Sequence, residues 1–287
     1  MLQQLLFLAS KPTHHVLDRA RRRLRPLYES DAQKHQRERQ TADYLLLSLT
    51  NCGRTWLRVI LGRALQLHYA HIGGIDTVDL HDLFSFSERI PTLPAIKPIH
   101  EKYGQFGRYD QQKVIVLVRD PRDALVSRYH QHKDKLGFDN LDRYACESSD
   151  LDAYIQFYND WQTHQAEASG FLMVRYEDMK ASTLQTVQRV VDFLALPLTS
   201  DELEQAIAYA SFKNMRKMEV TGSDQVRAGV MATRDVRNPE SFKVRKGAIG
   251  GYRAELSDES VAFVDQAVLT RLNPIYGYAL ASNEQRP

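Results

Sequence analysis

Cysteine is scarce in this sequence: Cys52 and Cys146 are the two thiols among 287 residues. That is too few for a disulfide framework, so a reducing cytoplasm is the expected compartment. Long apolar runs are missing as well, and no stretch approaches the ~20 residues that cross a bilayer. Neither sign of charge dominates, with 38 Lys and Arg against 36 Asp and Glu, a formal net charge of +2. So small an excess gives no support to nucleic acid as a partner. Internal repeats and low-complexity tracts are also absent.

What remains is a globular composition. At 43% hydrophobic and 26% charged residues, the chain has the material for one large domain or two small ones. Leu2, Leu5, Leu6, Phe7 and Leu8 form a short greasy patch, followed by a basic cluster from Arg19 to Arg25. That order is the reverse of a signal peptide's. The segment reads as a solvated basic helix on the domain, with peripheral membrane contact as the alternative. Residues 28–42 are polar and read as a solvated helix or linker. The expected division is an N-terminal helical arm over 1–42 and a main domain over 43–287.

Within the main domain, apolar runs alternate with helical periodicity. "YLLLSL" (44–49), "PAIKPI" (94–99), "KVIVLV" (113–118) and "FLMVRY" (171–176) read as strands. Helices are expected over 55–69, 123–132, 150–168, 180–195, 201–210 and 257–272, and a polar, turn-rich loop over 221–240. Strands alternating with helices predict an α/β fold with a central parallel sheet flanked by helices. In such sheets ligands gather at the carboxyl ends of the strands.

The first strand end carries "SLTNCGRTW" (48–56): a turn with one glycine, then a helix. This is a way to hold an anion on backbone amides. The phosphate-loop pattern G-x-x-x-x-G-K-[ST] is missing, and a cysteine stands where a small hydroxyl residue would suit. By itself the stretch is equally a phosphate cradle, a cysteine nucleophile or a turn. The next two strand ends bring Arg119 to Asp123 and Arg175 to Asp178. Arginines at separate strand ends suit an anion with more than one charged group. Local pairing or helix capping by Arg119 and Asp120 is the plainer alternative.

Taken together, these segments resemble the sulfotransferases that use 3′-phosphoadenosine 5′-phosphosulfate (PAPS). "SLTNCGRTWLR" (48–58) occupies the place of their 5′-phosphosulfate loop, and "RDPRDALVSRYH" (119–130) is similar to their 3′-phosphate segment. "VRYEDM" (174–179) and "ASFKNM" (210–215) resemble their adenine-side contacts, and "RKGAIGGYR" (245–253) their arginine-lysine-glycine loop. The five fragments follow in the family's order from about residue 43 to 272. The resemblance implies a P-loop-like three-layer fold and a reaction that needs no metal.

Carried onto this chain, the resemblance implies that Arg119 and Ser127 hold the 3′-phosphate, with Arg245, Lys246 and Gly247 closing over it. Trp56, Tyr176, Ser211 and Phe212 fall at the adenine positions. Asn51, Cys52, Gly53, Arg54 and Thr55 form the 5′-phosphosulfate loop. His100, after the second strand, matches the general base, while His130 and His132 are expected on a helix surface. The chain departs from the family at Asn51, which stands where the loop's lysine or arginine belongs. Arg54 or Lys97 is the expected source of that missing charge. The product would be adenosine 3′,5′-bisphosphate.

Three alternatives keep other chemistry open. Cys52 to Arg58 is a Cys-x5-Arg spacing, as in cysteine-dependent phosphatases. A P-loop-type nucleotide kinase would share the fold, and a weakened nucleotide-binding homologue would explain Asn51. The acceptor is expected to be a small molecule, a glycan or a lipid-linked sugar. Its pocket is expected from 70–92, 133–150 and 221–244, with Phe84, Phe86, Phe138, Tyr144 and Met231, and the last stretch acting as a lid. The oligomeric state is not legible in the sequence.

Overall fold

The computed structural model describes residues 29–222, 226, 231 and 236–278. The greasy-basic segment of the N-terminal arm, and part of the 221–244 lid, lie outside the described residues. Four strands form one parallel sheet: β1 (Tyr44–Leu47), β2 (Ile96–Ile99), β3 (Lys113–Val118) and β4 (Gly170–Arg175). Their order is β2-β1-β3-β4, with Tyr44 opposite both Ile96 and Lys113. From β1 the chain steps outward to β2, then returns past β1 to β3 and continues to β4. The switch point therefore falls between β1 and β3, where the loops after neighbouring strands diverge and leave a crevice.

The alternation of side chains divides the core into two layers. Tyr44, Leu46, Ile115 and Leu117 enter one apolar cluster; Leu45, Leu47, Val114, Val116 and Val118 enter the other. The first cluster is covered by α2 (Arg54–His68), α3 (Leu83–Arg89), α8 (Thr183–Phe193) and α9 (Ser200–Tyr209). The second is covered by α4 (Pro121–Leu136), α5 (Leu141–Glu147), α6 (Asp150–His164) and α11 (Asp258–Arg271). This is the three-layer α/β fold expected. With both faces roofed, β1 and β3 read as continuous hydrophobic runs, and each fully buried Leu contributes roughly 1.5–3 kcal/mol.

Several local expectations change. Residues 31–41 form a helix, α1 (Asp31–Thr41), opened by a capping box between Ser30 and Gln33. It is not solvated throughout, because Glu38 and Arg39 are buried. Arg39 donates to the Glu101 carboxylate at 2.9 and 3.2 Å, and Glu38 bonds to Lys97. The helix expected over 180–195 is two helices, α7 (Tyr176–Ala181) and α8, because Ser182 leaves helical geometry at φ −143°. Three further helices, α3, α5 and α10 (Phe212–Thr221), were not legible in the apolar pattern. Asp82 and Asn140 cap α3 and α5, each accepting from a backbone N–H three residues on. Among the described residues, no helix is long and apolar enough to cross a membrane.

Candidate functional site

The crevice begins at the turn after β1. Asn51 and Gly53 both take positive φ, 61° and 87°, which folds the chain back over the N-terminus of α2. At Gly53 even a methyl group is excluded, since a Cβ would lie 2.6 Å from Cδ2 of Tyr176. Among the described residues, no side chain caps α2. The amides of Arg54, Thr55 and Trp56 therefore have no acceptor within the helix, the arrangement that receives an anion.

Cys52 is not placed to be a nucleophile. Its thiol is buried in the core, 3.4 Å from the Tyr158 hydroxyl and 3.4 Å from the Thr50 carbonyl. Burial pushes its pKa up to about 11, so it stays protonated at neutral pH. Arg58, the partner in the Cys-x5-Arg spacing, instead donates to the His81 carbonyl.

The 3′-phosphate candidates converge at the end of β3. Asp120 caps α4, accepting from the Arg122 amide at 2.9 Å, and Pro121 takes the first helical position. Asp120 does cap the helix, but Arg119 does not pair with it. Its guanidinium lies over the Tyr176 ring at 4.6 Å and donates to Ser127 Oγ at 3.1 Å. It also donates to the carbonyls of Asn51 at 3.0 Å and Ala248 at 3.2 Å, joining three segments far apart in sequence. The 245–253 loop is tied to α4 by Asp123, which accepts from the amides of Gly250 and Tyr252 at 2.7 and 3.0 Å.

Beside these groups lies an aromatic slot. Trp56 and Tyr176 meet edge to face at 6.1 Å, and Trp56 Nε1 donates to the Ala210 carbonyl at 2.9 Å. Phe212 is exposed, and a Cβ on Gly247 would stand 3.4 Å from its ring and 3.3 Å from the Tyr176 hydroxyl.

His100 follows β2 on the opposite wall. Its Nδ1–H donates to the Ser48 carbonyl at 2.6 Å, which fixes the tautomer and leaves Nε2 with its lone pair. Arg54 donates to that Nε2 and to the Ile99 carbonyl. Desolvation, then the Arg54 charge, holds the His100 pKa down to about 4, although one side of the ring is open to the cavity. Burial likewise lowers Arg54 to about 10, which leaves it charged at neutral pH.

These groups line one cavity of about 400 Å³. Asn51 to Trp56, His100, Arg119, Ser127, Tyr176, Phe212 and Arg245 to Gly247 all face it. Lys97 and Ser211 do not. Lys97 is spent on the buried Glu38, and Ser211 opens α10 while its neighbours Ala210 and Phe212 supply the wall. Gln131, His132, Lys180 and Lys243 line the cavity without having been singled out as site residues. Helical spacing offered a signal: Gln131 follows Ser127 by four residues, and Lys180 follows Tyr176 by four. His132 is thus not confined to the helix surface. Of the expected acceptor residues, Met231 lines the cavity, whereas Phe84, Phe86 and Tyr144 are sealed in the core.

A family model described as "Sulfotransferase domain" matches residues 41–273. The chain belongs to the sulfotransferase-domain family. Cytosolic sulfotransferase 13 of Arabidopsis thaliana is 25% identical over 270 residues, covering 84% of this chain and 80% of the relative. Sulfotransferase 2A1 of Rattus norvegicus is 34% identical over 122 residues, and there the match spans 38% of this chain and 40% of the relative. Among solved structures, mouse sulfotransferase SULT7A1 complexed with PAP superposes with a TM-score of 0.58 at 19% identity, covering 80% of this chain and 84% of that one. A retinol dehydratase in complex with androsterone and PAP gives 0.55 at 16% identity, covering 85% and 82%. In this sulfotransferase-domain protein the cavity lies at the β1/β3 switch point.

Proposed function

We propose that this protein is a PAPS-dependent sulfotransferase that moves a sulfuryl group to a hydroxyl or amine, with His100 as general base. The observation that carries the reading is the single cavity shared by an anion-receiving helix terminus, an arginine pair, an aromatic slot and a histidine with an unprotonated Nε2. The donor fits on this chain's own terms. Arg119 Nε and Arg245 Nε are buried and have no partner among the described residues, a deficit that a phosphate oxygen would remove. The PAP complexes of the two structural neighbours support the same donor.

When bound, the donor supplies the sulfuryl group, whose bond to the 5′-phosphate oxygen breaks as the acceptor oxygen attacks sulfur. The amides at the start of α2 and Thr55 hold the 5′-phosphate. Arg119, Ser127 and Arg245 hold the 3′-phosphate, while Trp56, Tyr176 and Phe212 flank the adenine. Nε2 of His100 accepts from Arg54 in the resting site and takes the acceptor's proton once Arg54 turns to the donor, while the Ser48 carbonyl steadies the ring through Nδ1–H. Arg54 supplies the charge that Asn51 lacks, meeting the oxygen on which negative charge develops. With Lys97 paired to Glu38, Arg54 is the better-placed source.

We assign residues 43–287 to the catalytic domain and 1–42 to an arm that allows peripheral membrane contact. The cytosolic relatives support a cytoplasmic location. Leu49, Met215 and Met231 add apolar lining that suits a small-molecule alcohol, and glycan or lipid-linked acceptors belong to the same class of chemistry. Calorimetry should show adenosine 3′,5′-bisphosphate binding far more tightly than ATP. An acceptor screen with labelled PAPS should then yield sulfated product. Equal affinity for the two nucleotides would sink the donor reading; tight binding without turnover would leave a weakened homologue.

A further inference from the structure

Arg245 has five N–H donors, and their distribution is uneven. Both terminal nitrogens grip Glu255 end-on, Nη1 to Oε2 at 2.7 Å and Nη2 to Oε1 at 2.8 Å. The second Nη1–H goes to Glu240 at 2.9 Å. Nε has no partner among the described residues, although it is buried. The second Nη2–H lies on the same edge of the planar group as Nε–H. One edge of the guanidinium is therefore filled by carboxylates, and the adjacent edge presents two parallel donors, the spacing that matches two oxygens of one phosphate.

Glu255 is itself held. His130 Nε2 bonds to Oε2 at 2.8 Å, and Lys246 Nζ stands 3.4 Å from Oε1. His130 lies on α4 three residues after Ser127, so one helix face carries both the hydroxyl that meets Arg119 and the imidazole that meets Glu255. Burial alone would raise the Glu255 pKa. Hydrogen bonds from His130 and Arg245 outweigh it and hold the carboxyl well below the usual carboxylate range. His130, Glu240 and Glu255 converge within 4.8 Å, but Arg245 and Lys246 already supply the positive charge there. Arg119, Ser127, Arg245, Gly247 and Glu255 line one narrow cleft that adjoins the main cavity.

We propose that Glu255 is a positioning residue: by occupying the end-on fork of Arg245 it aims the Nε/Nη2 edge at the 3′-phosphate, so that the site reads that phosphate specifically. This rests on the donor reading above. Glu255 touches no part of the nucleotide; it acts through Arg245, with His130 as its brace. A freely rotating arginine would attract any anion in the cleft, whereas an aimed one favours the nucleotide whose 3′-phosphate arrives at that edge.

The test is calorimetry of the whole protein with adenosine 3′,5′-bisphosphate and with 5′-AMP, which lacks the 3′-phosphate. Glu255→Gln should weaken bisphosphate binding at least tenfold and leave 5′-AMP within twofold, so the preference between them collapses. His130→Gln should move the preference the same way by a smaller factor, and it serves if Glu255→Gln does not fold. In an Arg245→Gln background, Glu255→Gln should add nothing. An unchanged preference in both single variants, or tighter bisphosphate binding in Glu255→Gln, overturns the positioning role; the latter would make Glu255 a competitor for Arg245. A wild-type protein with no preference for the bisphosphate would instead refute the donor reading itself.

Discussion

Gly53, at the end of the β1 turn, and Tyr176, at the start of α7, are in such close approach that a Cβ on Gly53 would lie 2.6 Å from the tyrosine ring. The contact fixes the turn after β1 against the wall of the aromatic slot. Gly53→Ala therefore adds both left-handed strain and a clash. The expected cost is about 2–5 kcal/mol, and thermal unfolding should show a lowered Tm. Bisphosphate affinity should fall with it, because Tyr176 also carries the Arg119 guanidinium. An unshifted Tm would mean that the turn relaxes freely.

His100→Ala should spare nucleotide binding and remove turnover. General-base catalysis contributes roughly 100- to 10,000-fold, so the loss should appear in kcat, with bisphosphate affinity by calorimetry within about twofold. Near-normal turnover would show that another group takes the proton.

The acid limb of the activity profile should lie low. With the His100 pKa held to about 4, the imidazole is already in its base form at neutral pH. Turnover should persist well below pH 6.5 before falling as the pH nears the folded value. The sign for stability is the same. The unfolded histidine binds a proton at higher pH than the folded one, so this group's contribution is present above about 6.5 and is lost as pH falls toward 4. In Arg54→Met, the His100 pKa measured by NMR should rise but stop short of 6.5, since burial is the larger cause. Turnover in that variant should drop roughly 100- to 1,000-fold through lost charge stabilisation.

Arg119→Met should weaken bisphosphate binding by about 10- to 150-fold, the worth of roughly 1.5–3 kcal/mol for hydrogen bonds to a charged group. The loss for 5′-AMP should be smaller. Because Arg119 also holds the Asn51 and Ala248 carbonyls, some loss of Tm should accompany it.

Cys52→Ala should keep its sulfotransferase activity. The thiol lies in the core and is raised to about 11, so thiol alkylation at neutral pH should not inactivate the native protein. Loss of the sulfur and its Tyr158 contact should cost about 1–2 kcal/mol. Abolished turnover with an unchanged fold would return Cys52 to the reaction.

The sequence by itself determined the strands, the three-layer class and the order in which the site segments occur. These are local properties: β-branched and leucine runs, helical spacing, and turn residues at strand ends carry their own signal. It also picked out many of the cavity-lining residues, because Arg119 and Ser127 share one strand-to-helix junction and Arg245 to Gly247 one loop. Only the tertiary structure decided which side chains were already committed. Lys97 was withdrawn by Glu38 on α1, Phe84 and Phe86 by the core, and Arg54 was brought onto His100 across 46 positions. Glu255 left no local signal at all, since its partners are His130 on α4 and Arg245 in a separate loop. Such pairings depend on sheet register and on how helices lie over it, and neither is written in the periodicity of any single segment.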